Sequence, residues 1–317
     1  MKLILRVFFF FIISAKLFAQ APASANKLIY LDSLWTPGTP ENYKYTRLIE
    51  DYYTEKKSYV YKDHYKSGAI KYIANTTNKD VIINEGQAVS YYENGNKKSS
   101  VSYVNSKKTG KEFNWYENGN LKSELEYSDY KKGEVDFKVN NYWTPNKEQT
   151  VTVGNGKVED TSYDIEQSGT IKDGFPDGIW KGKNLKSKYI FTEQYENGKL
   201  ISGKSIDSLN IEHRYKIISE KPLPKNGIDS FYRYFSSKMV IPVDIRNKVS
   251  GKIYMTFIVD ETGNLVDPKV IKGVGYGLDE NAIQIIKEAK KWNPGLIRGI
   301  PARILYKLPI TIVKNGR

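Results

Sequence analysis

Cysteine is absent from the 317-residue sequence, which excludes disulfide bonds, thiol catalysis and thiolate metal sites. Histidine is nearly absent, because His64 and His213 are the only two and stand 149 positions apart without clustered carboxylates. A histidine-based metal site or catalytic triad is therefore not expected, and we expect no cofactor. The fold must be held by burial alone, which a chain of this length can supply.

Long apolar runs are missing except at the N-terminus. Lys2 and Arg6 give a positive start, Val7–Ala15 is apolar, and Ala19 offers a small residue for cleavage. This pattern predicts a secretory signal peptide over residues 1–19. Nine apolar residues cover about 14 Å of helix, against a hydrocarbon core of about 30 Å. The alternative, an uncleaved anchor spanning Leu3–Ala19, stays open.

Acidic residues are too few to balance the basic ones, and the formal net charge is +13. Residues 1–19 carry three of the cations and no acid, so their removal leaves +10. A basic exported protein is suited to rest on anionic lipid, lipopolysaccharide or cell-wall polymer. Peripheral membrane association therefore stays open. Nucleic acid is not an expected partner, because the lysines are spread along the chain rather than gathered in one patch.

Tyrosine is abundant, with 25 copies, and much of it lies in an internal repeat. The motif at Tyr91–Asn96 recurs 24 residues later as Trp115–Asn120, with an earlier copy at His64–Gly68 and a later one at Gln194–Lys199. Asn-Gly tolerates positive φ at both turn positions, so each copy predicts a tight hairpin. A second turn, at residues 105–110 or 129–133, would join one hairpin to the next. The repeat thus predicts an all-β meander.

These units resemble the MORN-type repeats of YwqK-like proteins, which combine an aromatic residue, Tyr-x-Asn-Gly and a lysine-rich strand. The resemblance covers roughly Tyr61 to Lys204, although Asn140–Gln167 fits poorly and is either a degenerate repeat or an insertion. It predicts a β-rich repeat domain over residues 27–219. Pro222, Pro224 and Gly227 then predict a linker over residues 220–227. The repeats imply architecture and no particular chemistry.

The last part of the chain has the patterns of a small α+β domain. Gly251–Val259 alternates as a strand, and Asp260–Asn264 is a strong turn signal. A second strand follows over Leu265–Ile271, with Pro268 expected at an edge or bulge. A helix stripe is formed by Ala282, Ile285, Ile286 and Ala289, preceded by Asp279 as the expected N-cap. Arg303–Ile312 alternates again, which completes a predicted β-β-α-β order.

This region, residues 228–317, resembles the C-terminal domain of TonB-type energy transducers, with the match running from about Leu223 to Ile312. The resemblance rests on the hairpin of residues 251–267, on Trp292, Pro294 and Gly295, and on residues 301–303 and 308–310. It implies a periplasmic or cell-envelope protein of a Gram-negative bacterium. Its implied partner is an extended segment of an outer-membrane transporter or another envelope protein.

The final strand is the expected site of that contact. Pro309 cannot donate a backbone hydrogen bond, so the strand is expected at a sheet edge. An open edge accepts an extended peptide by β-augmentation. The predicted peptide-binding residues are Arg303, Leu305, Lys307, Pro309 and Thr311. The alternative is that Pro309 protects the edge against pairing.

Two further functions stay open, together with a homodimer. One is a membrane-anchored TonB-type energy transducer in which the repeats replace the usual spanner, and the other is a structural repeat protein that binds cell-wall or surface glycan.

An enzyme is not expected. Gly273–Gly277 lacks the lysine-serine pair of a P-loop, Asp260–Asp267 departs from calcium-loop spacing, and Ser128 to Lys131 lacks the partner motifs of a Ser-x-x-Lys enzyme.

Overall fold

The structure, a computed structural model, describes residues 25–127, 137–246 and 248–313. The predicted signal peptide, the predicted turn at 129–133 and the Ser128–Lys131 pattern lie outside these described residues. The described chain is mostly β, with a long antiparallel meander followed by a small α+β unit. The predicted fold class is confirmed.

The meander is a single sheet of 16 strands, each paired with its neighbours in sequence. Its strands are β1 (Lys27–Leu31), β2 (Tyr45–Ile49), β3 (Tyr59–Tyr65), β4 (Ile70–Thr76), β5 (Asn84–Tyr91), β6 (Lys97–Val104), β7 (Lys107–Trp115), β8 (Leu121–Tyr127), β9 (Phe137–Trp143), β10 (Gln149–Thr152), β11 (Asn155–Ser162), β12 (Ile165–Lys172), β13 (Phe175–Asn184), β14 (Ile190–Glu196), β15 (Lys199–Ile206) and β16 (Glu212–Tyr215).

The repeat turns differ from the predicted geometry. In Tyr92–Asn96 only Gly95 has positive φ, at 87°, and the amide of Gly95 donates to the carbonyl of Tyr92 at 3.0 Å. Gly68 and Gly119 repeat this arrangement, so these loops are three-residue turns closed by a glycine bulge. The prediction of positive φ at both turn residues, the glycine and the residue before it, is therefore wrong for these three copies. It is confirmed at Asn197 and Gly198, whose φ values are 47° and 81°.

Tyrosine hydroxyls join each repeat to the next. Tyr65 donates to the carbonyl of Tyr91 at 2.8 Å, and Tyr92 donates to that of Trp115 at 2.9 Å. Tyr116 donates in the same way to the carbonyl of Trp143 at 2.8 Å. Hence β9 and β10 occupy the next repeat position, and the first part of the poorly fitting segment Asn140–Gln167, up to Thr152, is a degenerate repeat rather than an insertion.

The C-terminal unit contains one helix more than the sequence predicts. Its elements are β17 (Ser219–Glu220), β18 (Leu223–Pro224), α1 (Ile228–Lys238), β19 (Gly251–Val259), β20 (Leu265–Lys272), α2 (Leu278–Glu288), β21 (Trp292–Asn293), β22 (Gly295–Ile297), β23 (Ile300–Ala302) and β24 (Ile304–Ile312). The segment predicted as a linker contains β18, which pairs with β21. Helix α1 is amphipathic and buries Phe231 and Phe235, and these side chains anchor it on the core.

The core of this unit lies between the helices and the sheet β20–β19–β24. The four residues predicted to face the core from β19, Ile253, Met255, Phe257 and Val259, are buried, but Thr256 and Ile258 between them are buried as well. The ring of Trp292 stands edge-on to Phe257 at 5.4 Å and to Phe231 at 4.9 Å. Gly263 supports this packing, because a Cβ there would lie 2.0 Å from the carbonyl oxygen of Trp292.

Two other local predictions have different outcomes. Pro268 does lie in an edge strand beside a register shift, as predicted. Asp279 is not the N-cap of α2, because Gly277 occupies that position. The Asp279 carboxylate instead accepts hydrogen bonds from the amides of Val274 and Gly275, at 3.0 and 3.1 Å. It therefore fixes the glycine loop before the helix.

The C-terminal unit contacts both ends of the meander. At one end, Lys269 on β20 pairs with Asp32 at 2.5 Å, and Lys272 pairs with Asp80 at 2.5 Å. At the other end, the tip of the β22–β23 hairpin places Arg298 against Glu193 of β14, at 2.8 Å. Residues near both ends of the meander therefore contact the same C-terminal unit.

Candidate functional site

Strand β24 has an open edge. It pairs along its whole length with β19, from Ile304 opposite Val259 to Ile312 opposite Gly251. No other strand in the described ranges pairs with it. Consequently one row of its backbone N–H and C=O groups has no strand partner.

The predicted peptide-binding residues lie on or beside this strand. Lys307, Pro309 and Thr311 are exposed, and Leu305 is half-buried. Arg303 directly precedes the strand, and its guanidinium is 3.7 Å from the Asp267 carboxylate. The alternate residues Leu308, Ile310 and Ile312 are buried in the core. The structure thus places all five predicted residues along one face of the final segment.

Pro309 indicates which backbone groups face outward. It stands opposite Tyr254, and the ladder continues on both sides of it. Proline is accommodated inside a sheet when its nitrogen faces the open side. Alternate residues of an antiparallel strand direct their backbone groups to the same side. The outward amides are therefore those of Leu305, Lys307 and Thr311, with a gap at Pro309.

A second feature, which sequence analysis missed, is a groove on one face of the meander. It consists of two adjoining cavities of about 730 and 500 Å³. They share the side chains of Lys98, Lys108, Glu112, Asn114 and Tyr163. We call these two cavities the inner groove. The sheet curls around it, because Lys122 on β8 reaches Asp160 on β11, three strands away, at 2.5 Å.

Carboxylates in the inner groove are held by basic side chains. Asp63, Glu112 and Glu193 are buried to 4% exposure or less. Each of them, and Asp160 as well, is paired with a basic side chain: Arg47 with Asp63 at 2.7 Å, Lys108 with Glu112 at 2.8 Å, Lys122 with Asp160 at 2.5 Å, and Arg298 with Glu193 at 2.8 Å. Buried charges need such pairing, so we infer that these acids have a structural role.

Tyrosines surround these pairs and are kept neutral. Burial raises the pKa of Tyr61, Tyr72, Tyr142 and Tyr195 well above the ordinary tyrosine value. Tyr195 and Tyr215 donate their hydroxyls to Glu193 at 3.1 and 2.7 Å. The groove walls are consequently hydroxyl donors and rings rather than phenolates.

Neither feature has the side chains of a metal centre or a membrane span. Within the described ranges, no group of three or more histidine, aspartate and glutamate side chains could hold a metal ion. Helices α1 and α2 are both too short and too polar to cross a bilayer.

Comparison with known families agrees with both resemblances. Residues 243–311 match the family model described as the Gram-negative bacterial TonB protein C-terminal. Residues 84–105 and 108–129 each match the model of a MORN repeat variant, and each matched range contains one hairpin with its Tyr-x-Asn-Gly turn. Neither the curated proteins nor the solved structures include a significant match to the chain. The family matches indicate a TonB-like protein of the Gram-negative cell envelope.

Proposed function

We propose that the protein is an exported binding module whose strand β24 captures an extended segment of an envelope partner, such as an outer-membrane transporter. The observation that supports this most is the open edge of β24 within a domain matching the TonB C-terminal family. Main-chain hydrogen bonds would supply affinity, and exposed side chains such as Lys307 and Thr311 would contribute selectivity. The capture would support transport or signalling at the outer membrane. The proposal assigns no enzymatic activity.

Pro309 limits how such a peptide can pair. The outward amides of Lys307 and Thr311 flank a position that offers only a carbonyl oxygen. A captured strand would therefore form two short sets of bonds separated by one missing donor. The same gap discourages indiscriminate pairing with other sheet edges, so the edge protection that Pro309 provides is compatible with selective capture.

The test uses the full chain and a peptide array covering the N-terminal segments of the outer-membrane proteins of the same cell. Thr311→Pro removes one outward amide, and Thr311→Ala removes the side chain but retains that amide. We expect Thr311→Pro to weaken the selected peptides about 3- to 10-fold, since a hydrogen bond contributes roughly 0.5–1.5 kcal/mol. Thr311→Ala should change affinity less than 2-fold.

Equal affinities for Thr311→Pro and the wild-type chain, measured by calorimetry, would contradict backbone pairing at this edge. Circular dichroism of both variants controls for folding. Binding that is lost equally in both variants would instead assign recognition to the threonine side chain.

A further inference from the structure

One lysine recurs as the extra residue of a β-bulge in three successive repeats. On β6, Ser99 faces Ser90 and Lys97 faces Tyr91, which leaves Lys98 without an opposite residue. The same register shift leaves Lys71 unopposed on β4 and Lys122 unopposed on β8. We call Lys71, Lys98 and Lys122 the bulge lysines. A bulge re-aims its side chain, and all three side chains line the inner groove.

Each bulge lysine lies over the tyrosine of its own turn. The Nζ of Lys71 is 4.4 Å from the ring centroid of Tyr65. The Nζ of Lys98 is 5.3 Å from that of Tyr92, and Lys122 repeats the contact with Tyr116 at 5.5 Å. These are the tyrosines whose hydroxyls bind the next repeat. The amines of the three bulge lysines therefore lie over tyrosine rings that are held in place, and they follow one another along the inner groove.

The three positions differ in their counter-ions. Lys122 is neutralised by Asp160, whose carboxylate also accepts from the hydroxyl of Tyr142 at 3.1 Å. Among the described residues, Lys71 and Lys98 form no ion pair. One of the three bulge lysines, Lys122, is therefore neutralised by a carboxylate of the chain itself, whereas Lys71 and Lys98 are not.

Nearby acids compensate the two remaining lysines only in part, because Asp63 and Glu93 act to raise the pKa of Lys71 without outweighing its burial. Asp63 accepts two hydrogen bonds from Arg47, at 2.7 and 2.8 Å, and Glu112 is held by Lys108. Burial lowers the pKa of Lys71, and the charge of Lys98 lowers it further. Two ammonium groups facing one cavity repel each other, and an anion between them would relieve this repulsion.

We propose that Lys71 and Lys98 bind carboxylate groups of an acidic oligosaccharide lying in the 500 Å³ cavity of the inner groove. The 500 Å³ cavity is lined by tyrosine, tryptophan and polar side chains and by no leucine, isoleucine or valine. Rings accept the C–H faces of sugars, whereas an acyl chain or apolar peptide needs aliphatic walls. The two lysines are two strand spacings apart, or about 10 Å at the backbone, which suits carboxylates spaced along an extended chain.

The site is independent of peptide capture at β24, so each hypothesis can fail alone. The probe is a tetramer of galacturonic acid, compared with its methyl-esterified, uncharged form and with tetraglutamate. Calorimetry on the full chain at low salt compares wild type with Lys71→Gln/Lys98→Gln. The matched control is Lys66→Gln/Lys97→Gln, which removes two exposed lysines from the same two hairpins.

We expect the uronate tetramer to bind the wild-type chain and the control variant within 2-fold of each other. The bulge-lysine variant and the esterified tetramer should each lose at least 10-fold in affinity. Absence of uronate binding at millimolar concentration, or an equal loss in the control variant, would overturn the proposal. Tighter binding of tetraglutamate would also overturn it, because the groove would then select an acidic peptide.

Discussion

Asn94 and Asn118 in the repeat turns act through hydrogen bonds rather than through a positive φ. The Asn94 side chain accepts from the amide of Asn96 at 3.0 Å and donates to the carbonyl of Glu117 at 3.0 Å. Asn118 makes the equivalent contacts one repeat later, with Asn120 and with Pro145. In these two turns the first asparagine therefore joins adjacent repeats, as the tyrosine hydroxyl does.

A matched pair of substitutions separates the two roles of asparagine. Asn94→Gly removes both hydrogen bonds at a position without positive φ, so we expect a loss of about 1–2 kcal/mol in unfolding free energy. Asn197→Gly relieves a positive φ of 47° and should be nearly neutral. Urea denaturation measures both changes. Equal losses would show that the inter-repeat bonds of Asn94 do not contribute measurably to stability.

The sequence predicts single-residue roles only where the reason is local. The aromatic-Tyr-x-Asn-Gly spacing is sufficient to locate the turns, because glycine at positive φ is a local requirement. It is insufficient to show that Lys98 is a bulge residue, since a bulge depends on the register with the neighbouring strand. The signal that the sequence does contain is the recurrence of lysine three positions after the turn glycine, at 71, 98 and 122.

Among the elements, those with a one-sided core were predictable. Alternation identifies β19 and β24, and the stripe of α2 is confirmed by the burial of Ala282, Ile285 and Ile286. Helix α1 was missed although Phe231 and Phe235 lie four residues apart on its buried face. Its segment follows a stretch that contains proline and glycine, and these turn signals predict a linker. Tertiary packing on Trp292 is what stabilises this helix.

The β22–β23 hairpin is the firmest connection between the two parts of the chain. Arg298 at its tip stacks its guanidinium 3.7 Å from the Phe191 ring centroid, and its carbonyl accepts from Ser205 at 2.7 Å. Its partner Glu193 is 2% exposed. Sequence patterns cannot indicate this contact, because the two residues are 105 positions apart and meet only through the curl of the sheet.

Arg298→Met should therefore be strongly destabilising. It leaves the Glu193 carboxylate buried without its cation, and we expect a loss of about 3–5 kcal/mol in unfolding free energy. Adding Glu193→Gln should recover part of that loss. Lys269→Met, which breaks the more exposed pair with Asp32, should cost less than about 1 kcal/mol. Similar losses of unfolding free energy in Arg298→Met and Lys269→Met, measured by thermal or urea denaturation, would contradict this ranking.

For the whole molecule, the weaker contacts at the start of the meander are sensitive to acid. Burial alone would raise the pKa of Asp32, but hydrogen bonds from Lys269 and Thr36 outweigh it and lower that pKa to about 2. The pKa of Asp80 is also lowered, because bonds from Lys272 and Tyr52 outweigh burial. A lowered pKa stabilises the contact above the ordinary aspartate pKa of 3.8, and that stabilisation is lost as the pH falls towards 2.

Asp32→Asn/Asp80→Asn provides the corresponding test. At pH 6 this variant should be less stable than the wild-type chain, and the difference should shrink between pH 4 and pH 2. Urea denaturation across that range measures the difference. A difference that stays constant down to pH 2 would show that the carboxylates contribute through packing rather than through charge.

At the scale of the whole molecule, the C-terminal unit contacts the meander and also has a strand edge that is unpaired among the described residues. The C-terminal unit is attached to the last strands of the meander by the buried Arg298 pair and to the first strands by two partly exposed pairs. The outer edge of β24 pairs with no strand in the described part of the chain. Family motifs predicted the two parts separately, but their mutual arrangement depends on contacts between distant residues.

The most direct measurement is amide hydrogen exchange of the full chain with and without the peptide selected from the array. Capture at β24 predicts slower exchange at Leu305, Lys307 and Thr311, whose amides gain partners. The amides of Tyr306 and Leu308, which already face β19, should change little. Unchanged exchange along Ile304–Ile312 in the presence of saturating peptide would contradict the central claim and place recognition elsewhere on the protein.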